Sequence, residues 1–508
     1  MATVADIAGA VPGASALGTS SVEINGATHD SREVRPGDLF AVLSGSRTDG
    51  RKFVDDAIHA GAVALLVEEV LPVRVPQIVV ENTREVLGYI TAVCHGDPTS
   101  RLQVVGITGT NGKTTTAYLV ESALAAAGES PGVMGTVEYR VGLRHWEAAH
   151  TTPEATVVQS VAREMVEAGA THLVMEASSH GLALGRLNGC RFRVVAFTNL
   201  TQDHLDFHSD MQSYGEAKLT LFTSAVENEP EARVVVNVDD PFGSEVIRHA
   251  VHPVLTVSND PKSKADIRPS ETPRFSIKGI ETKVHTPAMN CLLTSPLLGP
   301  HNLSNILLGL GICIQLGIDA RVACEGLGGL KAVPGRLERV EGSGDFAVLV
   351  DYAHTPDALK RTLKSLRPLT EGRLICVFGC GGDRDPVKRP LMGRSVAEEA
   401  DIAVVTSDNP RTEEPDAIIE MIIPGVEEAG MSRIDCEQLA ETSRGFAVQA
   451  DRKLAIEAAI SAAAPHDTVL IAGKGHEDYQ ILGTKKIHFD DREEAVRALE
   501  ARRGGRNG

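Results

Sequence analysis

Short apolar runs rich in β-branched residues alternate, along nearly the whole chain, with segments whose apolar residues recur at helical spacing. Such runs predict strands buried on both faces, and their alternation with helices predicts parallel α/β sheets. In the first hundred residues Val22-Glu23-Ile24, Leu39-Phe40-Ala41-Val42-Leu43, Val63-Ala64-Leu65-Leu66-Val67 and Gln77-Ile78-Val79-Val80 read as strands, with a helix from Phe53 to Ala60. The polar segment Gly96-Asp97-Pro98-Thr99-Ser100 closes this unit. Alternation then runs to about 332, with strands Leu102 to Ile107, Thr171 to Met175 and Arg193 to Phe197, and an apolar helix from Ile306 to Leu316. Pro334-Gly335-Arg336 marks a second boundary. Beyond it, strands are predicted at Ala347 to Val350, Leu374 to Phe378, Ile402 to Thr406 and Thr468 to Ala472. Helices are predicted after Pro356, from Arg389, from Asp416 to Ile423 and from Lys453 to Ala464, and Arg502 to Gly508 reads as a frayed tail.

The run Val104 to Thr116 carries the clearest chemistry. An apolar strand feeds the turn Gly109-Thr110-Asn111-Gly112, which opens a helix bearing Tyr118, Leu119, Val120 and Leu124. This is the layout of a phosphate-binding loop. Glycines let the backbone approach an anion, and the amides of Asn111 to Thr114 would meet it at the positive end of the helix. Lys113 would reach the β/γ-phosphates of a nucleoside triphosphate, and the Thr114 hydroxyl would ligate Mg²⁺. The loop departs from G-x-x-x-x-G-K-[ST] in having Ile107 at the first glycine. The expected fold is thus α/β in three domains: a small α/β domain over 1–98, a central P-loop ATPase-like doubly wound sheet over 99–333, and a Rossmann-like α/β domain over 334–508.

Charge narrows the ligand class. The 508 residues carry a net charge of −18 with no long basic run and only 4% aromatic content, which argues against a nucleic-acid partner. Phosphate must be held by local cationic pockets. The eight cysteines are scattered, and only Cys376 and Cys380 lie close, without zinc-type spacing. Reduced thiols, a cytosolic chain and no membrane span are therefore expected.

Polar clusters fall at strand ends, where such folds bind ligands. They are His150-Thr151-Thr152-Pro153-Glu154, Glu176-Ala177-Ser178-Ser179-His180, and Asn199-Leu200 with Asp203-His204. A carboxylate past one strand and Asp-His past another suit a hard cation beside a triphosphate. Lys218 reads, by composition, as a helix-surface lysine, Asp30-Ser31-Arg32 as a turn with local hydrogen bonds, and His301-Asn302-Leu303-Ser304-Asn305 as a helix start capped by Asn302 or Ser304. In the last third the strand exits are Asp351-Tyr352-Ala353-His354, Gly379 to Asp385, Asp408-Asn409-Pro410-Arg411 and Gly473-Lys474-Gly475-His476-Glu477. Gly379-x-Gly381-Gly382 lacks dinucleotide spacing, and the mixed charges of these exits suit a zwitterionic ligand.

Together the phosphate loop, Glu176 with Ser178-Ser179-His180, Asn199-Leu200 with Asp203-His204, the Lys218 segment, His301-Asn302 with Asn305, and Asp351 to His354 resemble the Mur ligases. These are ATP-dependent amide-forming enzymes of cytoplasmic peptidoglycan synthesis, and the likeness spans nearly the whole chain in order. It is strongest to members that add the third residue to UDP-N-acetylmuramoyl-L-alanyl-D-glutamate. The Asp408 to Arg411 box is similar to that of members adding meso-2,6-diaminopimelate. The resemblance implies ATP and two Mg²⁺ ions; a monomer is expected, although the sequence does not fix the oligomeric state. Gly109, Thr110, Asn111, Gly112, Lys113, Thr114 and Thr115, with His301, Asn302, Asn305, Arg336 and Asp351, would surround the nucleotide. Ser31, Ser46, Arg47 and Thr48 would hold the uridine diphosphate end, and Thr151, Thr152, Ser178 and Arg186 the muramoyl-dipeptide. Arg384, Asp408, Asn409, Pro410, Arg411, Gly473 and Glu477 would take diaminopimelate. Lys218, carbamylated by CO₂ to N6-carboxylysine, would join Thr114, Glu176 and His204 around the metals, with Lys113, Glu176, His204 and Lys218 as the catalytic set. Some relatives carry glutamine at Leu184 and asparagine at His150. The implied reaction proceeds through an acyl phosphate, with a hinge near Val333 to Arg336. Three other readings compete: the lysine-adding counterpart, which lacks the box; a folylpolyglutamate synthetase, lacking also the Asp30-Ser31-Arg32 loop; and a nucleotide-switched regulatory ATPase, whose hydrolysis needs no amino acid.

Overall fold

The run Gln103–Thr108, buried on both faces, becomes the hub of an eight-stranded sheet. The computed structural model describes residues 2–43, 49–205 and 207–506, so Ser46, Arg47 and Thr48 lie outside the described residues. The chain forms two compact units: Met1–Thr272 with Thr282–Leu293 and Leu303–Gly329, and Pro273–Glu281 with Thr294–Asn302 and Leu330–Gly508.

Besides the short antiparallel pair Ala2–Thr3 with Glu23–Ile24, the first unit is built on two larger sheets. Gly26–Thr28, Asp38–Ala41, Ala64–Val67 and Gln77–Val79 pair in parallel, with Ser15–Leu17 antiparallel at one edge. Around Gln103–Thr108, His172–Glu176 and Pro131–Met134 lie on one side, and Phe192–Phe197, Arg233–Asn237 and Val254–Val257 on the other, all parallel. Strand order thus reverses beside the phosphate loop, which opens a crevice at the carboxyl ends. Two antiparallel strands, Glu138–Val141 and Arg144–Glu147, extend the edge. Their polar sequence gives no apolar run, because buried Arg140 is neutralised by Glu121 and Glu138 and covers the Tyr118 ring at 4.2 Å.

In the second unit the order is Glu338–Arg339, Ala347–Asp351, Thr468–Ala472, Leu374–Phe378, Ile402–Val405, Gly445–Val448, parallel apart from the first. This order sets the exits after residues 351, 472, 378 and 405 side by side. Helix Pro415–Glu428 does not stop at Ile423 but runs through Pro424. It packs on Lys388–Glu399 so closely that a Cβ on Gly425 would lie 1.8 Å from the Pro390 carbonyl oxygen. The expected frayed end is corrected: helix Asp491–Arg506 includes Arg502, whose guanidinium donates to the Ala463 carbonyl at 2.5 Å and covers the Phe346 ring at 4.6 Å. An arginine holding this end left no apolar signal in the sequence. Among the described residues no helix is long and apolar enough to cross a membrane. All eight cysteines are free and seven are buried; burial pushes the thiols of Cys94, Cys190, Cys313 and Cys380 up to about 12.

Candidate active site

Gly109 and Gly112 hold φ angles of 144° and 88°, in the region that favours glycine. A Cβ on Gly109 would lie 1.8 Å from Thr198 Oγ1, and one on Gly112 2.3 Å from Asn305 Oδ1. The loop is pinned to the next strand exit by reciprocal bonds: Asn111 N–H donates to Asn199 Oδ1 at 3.0 Å, and Asn199 Nδ2 to the Asn111 carbonyl at 3.1 Å. Helix Lys113–Ala126 starts at Gly112, which offers its first-turn amides no side-chain acceptor and so suits them to an anion. The Lys113 ammonium folds back onto the Gly109 and Thr110 carbonyls, both at 2.9 Å.

Glu176, the last residue of its strand, is 1% exposed. It accepts from Thr114 Oγ1 at 2.9 Å, from the Thr136 N–H at 2.8 Å and from Thr136 Oγ1 at 3.1 Å. Lys218 overturns the surface expectation: it is 1% exposed, donates to the Gly109 carbonyl at 2.9 Å and lies 4.4 Å above the Tyr214 ring. The helix Met211–Leu219 is polar overall, yet Tyr214, Gly215 and Lys218 face inward. Burial, reinforced by Lys113, lowers the Lys218 pKa well below its ordinary value, against a smaller opposing pull from Asp203. His204 has a φ of 54°, sits 3.6 Å from Asp203, and its ring lies 4.7 Å from that of His180 and 6.2 Å from that of Tyr214. The four expected metal ligands thus fall into two groups, Thr114 with Glu176, and Lys218 with Tyr214 and His204. Among the described residues no three His, Cys, Asp or Glu side chains converge as a metal site on their own. Hydroxyl and carboxylate donors suit a hard cation, whereas a protonated Lys218 would repel one.

The residues of this unit expected to face the muramoyl-dipeptide also meet. Thr152 Oγ1 donates to the Glu176 carbonyl at 2.6 Å and accepts from the Ser178 N–H at 2.9 Å, while Arg186 binds the Thr152 carbonyl at 2.9 Å and Glu154 at 2.6 Å. Thr151 Oγ1 shares a 3.1 Å bond with Thr136 Oγ1. Arg32 closes on Asp30 as the turn reading expected, leaving Ser31 half-buried between them. Leu184 lines a groove of about 890 Å³ with Asn82, Arg84 and Tyr89, and His150 meets the Tyr139 hydroxyl only through its carbonyl, at 2.6 Å.

In the second unit, Asp351 is buried at a strand end and accepts from the Leu337 and Ala353 N–H groups at 2.8 and 2.9 Å. Burial raises its pKa, and Arg336 opposes the rise. The Tyr352 ring carries Arg336 at 5.0 Å, His354 at 4.6 Å and His476 at 5.0 Å. His301 is held near a pKa of about 4 by burial and then by Arg361. The capping expectation is corrected: the helix begins at Pro300, and Asn302 donates back to the Leu298 carbonyl at 2.9 Å. Ser304, within the first unit, instead accepts from Asn259 at 2.8 Å.

The remaining exits of this unit interlock. Arg411, at a φ of 52°, donates from Nη1 to the Gly382 carbonyl at 2.7 Å. Glu413 is engaged by buried Arg389, at 2.7 and 2.9 Å. A Cβ on Gly381 would lie 3.1 Å from Arg411 Nη1 and 3.8 Å from Arg384 Cγ, so both arginines flank one turn, Arg384 being exposed. Pro410 is buried, and its carbonyl would meet a Cβ on Gly382 at 1.8 Å. Asn409 Nδ2 donates to Glu477 at 3.0 Å. Gly473, at a φ of 118°, lies where a Cβ would be 3.3 Å from Asp408 Oδ2. Beneath them the fully buried pair Arg452–Asp491 also binds the Ala472 and Ser407 carbonyls at 2.9 and 3.4 Å, tying two strand exits together.

Sequence reasoning passed over Thr136, Tyr214 and Lys474. Thr136 and Tyr214 sit in segments with no strand-end signal, while Lys474 lies in a mixed-charge strand exit whose sequence gives it no distinct role. Residues 107–313 match the Mur ligase middle domain, 335–475 the Mur ligase glutamate ligase domain, and 23–93 the Mur ligase family catalytic domain. A UDP-N-acetylmuramoyl-L-alanyl-D-glutamate–2,6-diaminopimelate ligase of Gloeobacter violaceus is 48% identical over 491 residues, 95% of each chain. Its namesake from Geobacter metallireducens is 45% identical over 503 residues, covering 97% of this chain and 98% of its own. A solved structure of a ligase with that name superposes with a TM-score of 0.70 at 33% identity, over 94% of this chain and 95% of the other. With its phosphate loop, its buried carboxylate and lysine, and its sequence matched almost from end to end, the chain belongs to the Mur ligase family.

Proposed function

We propose that the chain is the ATP-dependent ligase that joins meso-2,6-diaminopimelate to UDP-N-acetylmuramoyl-L-alanyl-D-glutamate in the cytoplasm. Residues 1–98 would serve the uridine diphosphate end, 99–333 ATP, and 334–508 the amino acid. The observation that carries this reading is the set of strand exits in the second unit. Arg411 is held at Gly382 without a carboxylate of its own among the described residues, beside Asp408, Asn409 and Glu477. A fixed guanidinium next to carboxylates matches an end group bearing both a carboxylate and an ammonium. The relatives' names agree with it.

In this reading Lys113 leaves the Gly109 and Thr110 carbonyls for the β/γ-phosphates. Thr151, Thr152, Ser178 and Arg186 place the D-glutamate carboxylate, whose oxygen attacks the γ-phosphorus as ADP departs. The diaminopimelate amine then attacks the acyl carbon, and phosphate leaves from the tetrahedral intermediate as the nitrogen loses its proton. The neutral Lys218 amine would attack CO₂, forming an N–C bond and releasing a proton, and the carbamate would supply an anionic oxygen. Two Mg²⁺ ions held by Thr114, Glu176, His204 and that carbamate would offset charge on the transferring phosphoryl group. Arg336, Asp351, His301, Asn302 and Asn305 would surround the nucleotide.

The direct test is ADP release with the UDP-muramoyl-dipeptide and each candidate amino acid in turn. Diaminopimelate should support turnover and L-lysine should not. Preference for lysine would move the assignment to the lysine-adding members, and release without any amino acid would support a regulatory ATPase. In Arg411→Ala, kcat/KM for diaminopimelate should fall by at least about 2 kcal/mol, because a desolvated carboxylate loses its partner. The KM for ATP should stay near the parent value. Equal kcat/KM in variant and parent would remove Arg411 from the site.

A further inference from the structure

Lys474 is a completely buried ammonium whose neighbours are the amino-acid loops themselves. Its Nζ lies 3.1 Å from Asn409 Oδ1, 3.4 Å from Asp408 Oδ1 and 3.6 Å from Glu477 Oε2, and it is 0% exposed. Burying a charge this deeply is costly unless it is paired. Here the pairing joins two separate strand exits, the loop after Ile402–Val405 and the loop after Thr468–Ala472. The charge count is informative. Asp408 and Glu477 supply two negative groups, and Lys474 and Arg411 two positive ones, while the buried Arg452–Asp491 pair beneath cancels itself and Arg384 stands exposed to solvent outside the buried cluster. The cluster is therefore balanced, and its best guest is an end group that is itself balanced, carrying one ammonium and one carboxylate.

We propose that Lys474 is a specificity-determining residue that works by charge balance, a reading that rests on the assignment of these exits to the amino acid. With Lys474 present, a guest with a lone distal ammonium adds an uncompensated positive charge beside two fixed cations. With Lys474 removed, the two carboxylates face only Arg411, and a lone ammonium restores neutrality. Lys474 does not need to touch the guest; it positions Asp408, Asn409 and Glu477 and sets the sign of the field they present.

The test is a competition between meso-diaminopimelate and L-lysine in Lys474→Met, which keeps the length of the side chain without its charge. The measured quantity is the ratio of the two kcat/KM values, which does not depend on the fraction of protein that is active. It should fall at least tenfold, equivalent to about 1.4 kcal/mol, with the kcat/KM for lysine rising relative to that for diaminopimelate. Adding Glu477→Gln to Lys474→Met removes one negative charge and should return the ratio toward the parent. Lys474→Gln gives the same reading should the methionine variant fail to fold. If both substrates lose activity equally in these variants, Lys474 is only a structural tie and the proposal is overturned. A parent enzyme that does not use diaminopimelate would instead overturn the functional assignment beneath it.

Discussion

Lys113→Ala should cripple ligation by removing a cation from the nucleotide loop. Lys113 donates to the Gly109 and Thr110 carbonyls of its own loop, both within four residues of it. The thermal midpoint, followed alongside, separates any loss of fold from loss of rate. In-line phosphoryl transfer spreads charge over oxygens that a preorganised ammonium stabilises more in the transition state than in bound ATP. Removing one such contact costs on the order of 3–4 kcal/mol, a rate loss of roughly a hundred- to a thousandfold. Initial rates of ADP release with both substrates saturating provide the measurement. Near-normal turnover would sink the assignment of this loop to the nucleotide.

Lys218→Ala should be as severe, through a different chemistry. An amine that is 1% exposed, over an aromatic ring and close to Lys113, is poorly placed to stay an ammonium but well placed to react as a free amine. The alanine variant should lose on the order of a thousandfold in rate, comparable to removing a principal electrostatic group. Acetate, small enough to enter the space left behind, should restore part of that activity, whereas a short amine should restore none. Intact-protein mass under CO₂-saturated conditions should show the added carboxylate on the parent. A fully active parent with an unmodified amine, or a variant that amines rescue, would refute the carbamate.

How legible these features were depended on where their signals lay. Buried parallel strands such as Gln103–Thr108 and Thr468–Ala472 announce themselves because both faces are apolar, and the phosphate loop because its glycines and Lys-Thr pair have few other uses. Arg140 and Arg502 were opaque for the opposite reason. Each supports local structure by pairing a buried or ring-stacked guanidinium, which in sequence looks like solvent-facing polarity. Lys218 shows the same limit at the site itself. Nothing in the composition of Met211–Leu219 distinguishes its inward face, and only the family resemblance pointed to a role. The strand exits of the second unit were readable as mixed-charge loops, but their adjacency was not, since it depends on the strand Thr468–Ala472 inserting between Ala347–Asp351 and Leu374–Phe378.

The buried cysteines turn the molecule into its own reporter. A thiol reacts with alkylating agents as the thiolate, so groups shielded by packing and pushed up to about 12 should stay silent in the native protein. Only half-buried Cys436 should then label quickly. Cys94, Cys190, Cys291, Cys313 and Cys324 belong to the first unit, and Cys376, Cys380 and Cys436 to the second. A brief pulse of iodoacetamide at rising urea concentration, followed by peptide mass mapping, would therefore record the opening of each unit separately, without an introduced probe.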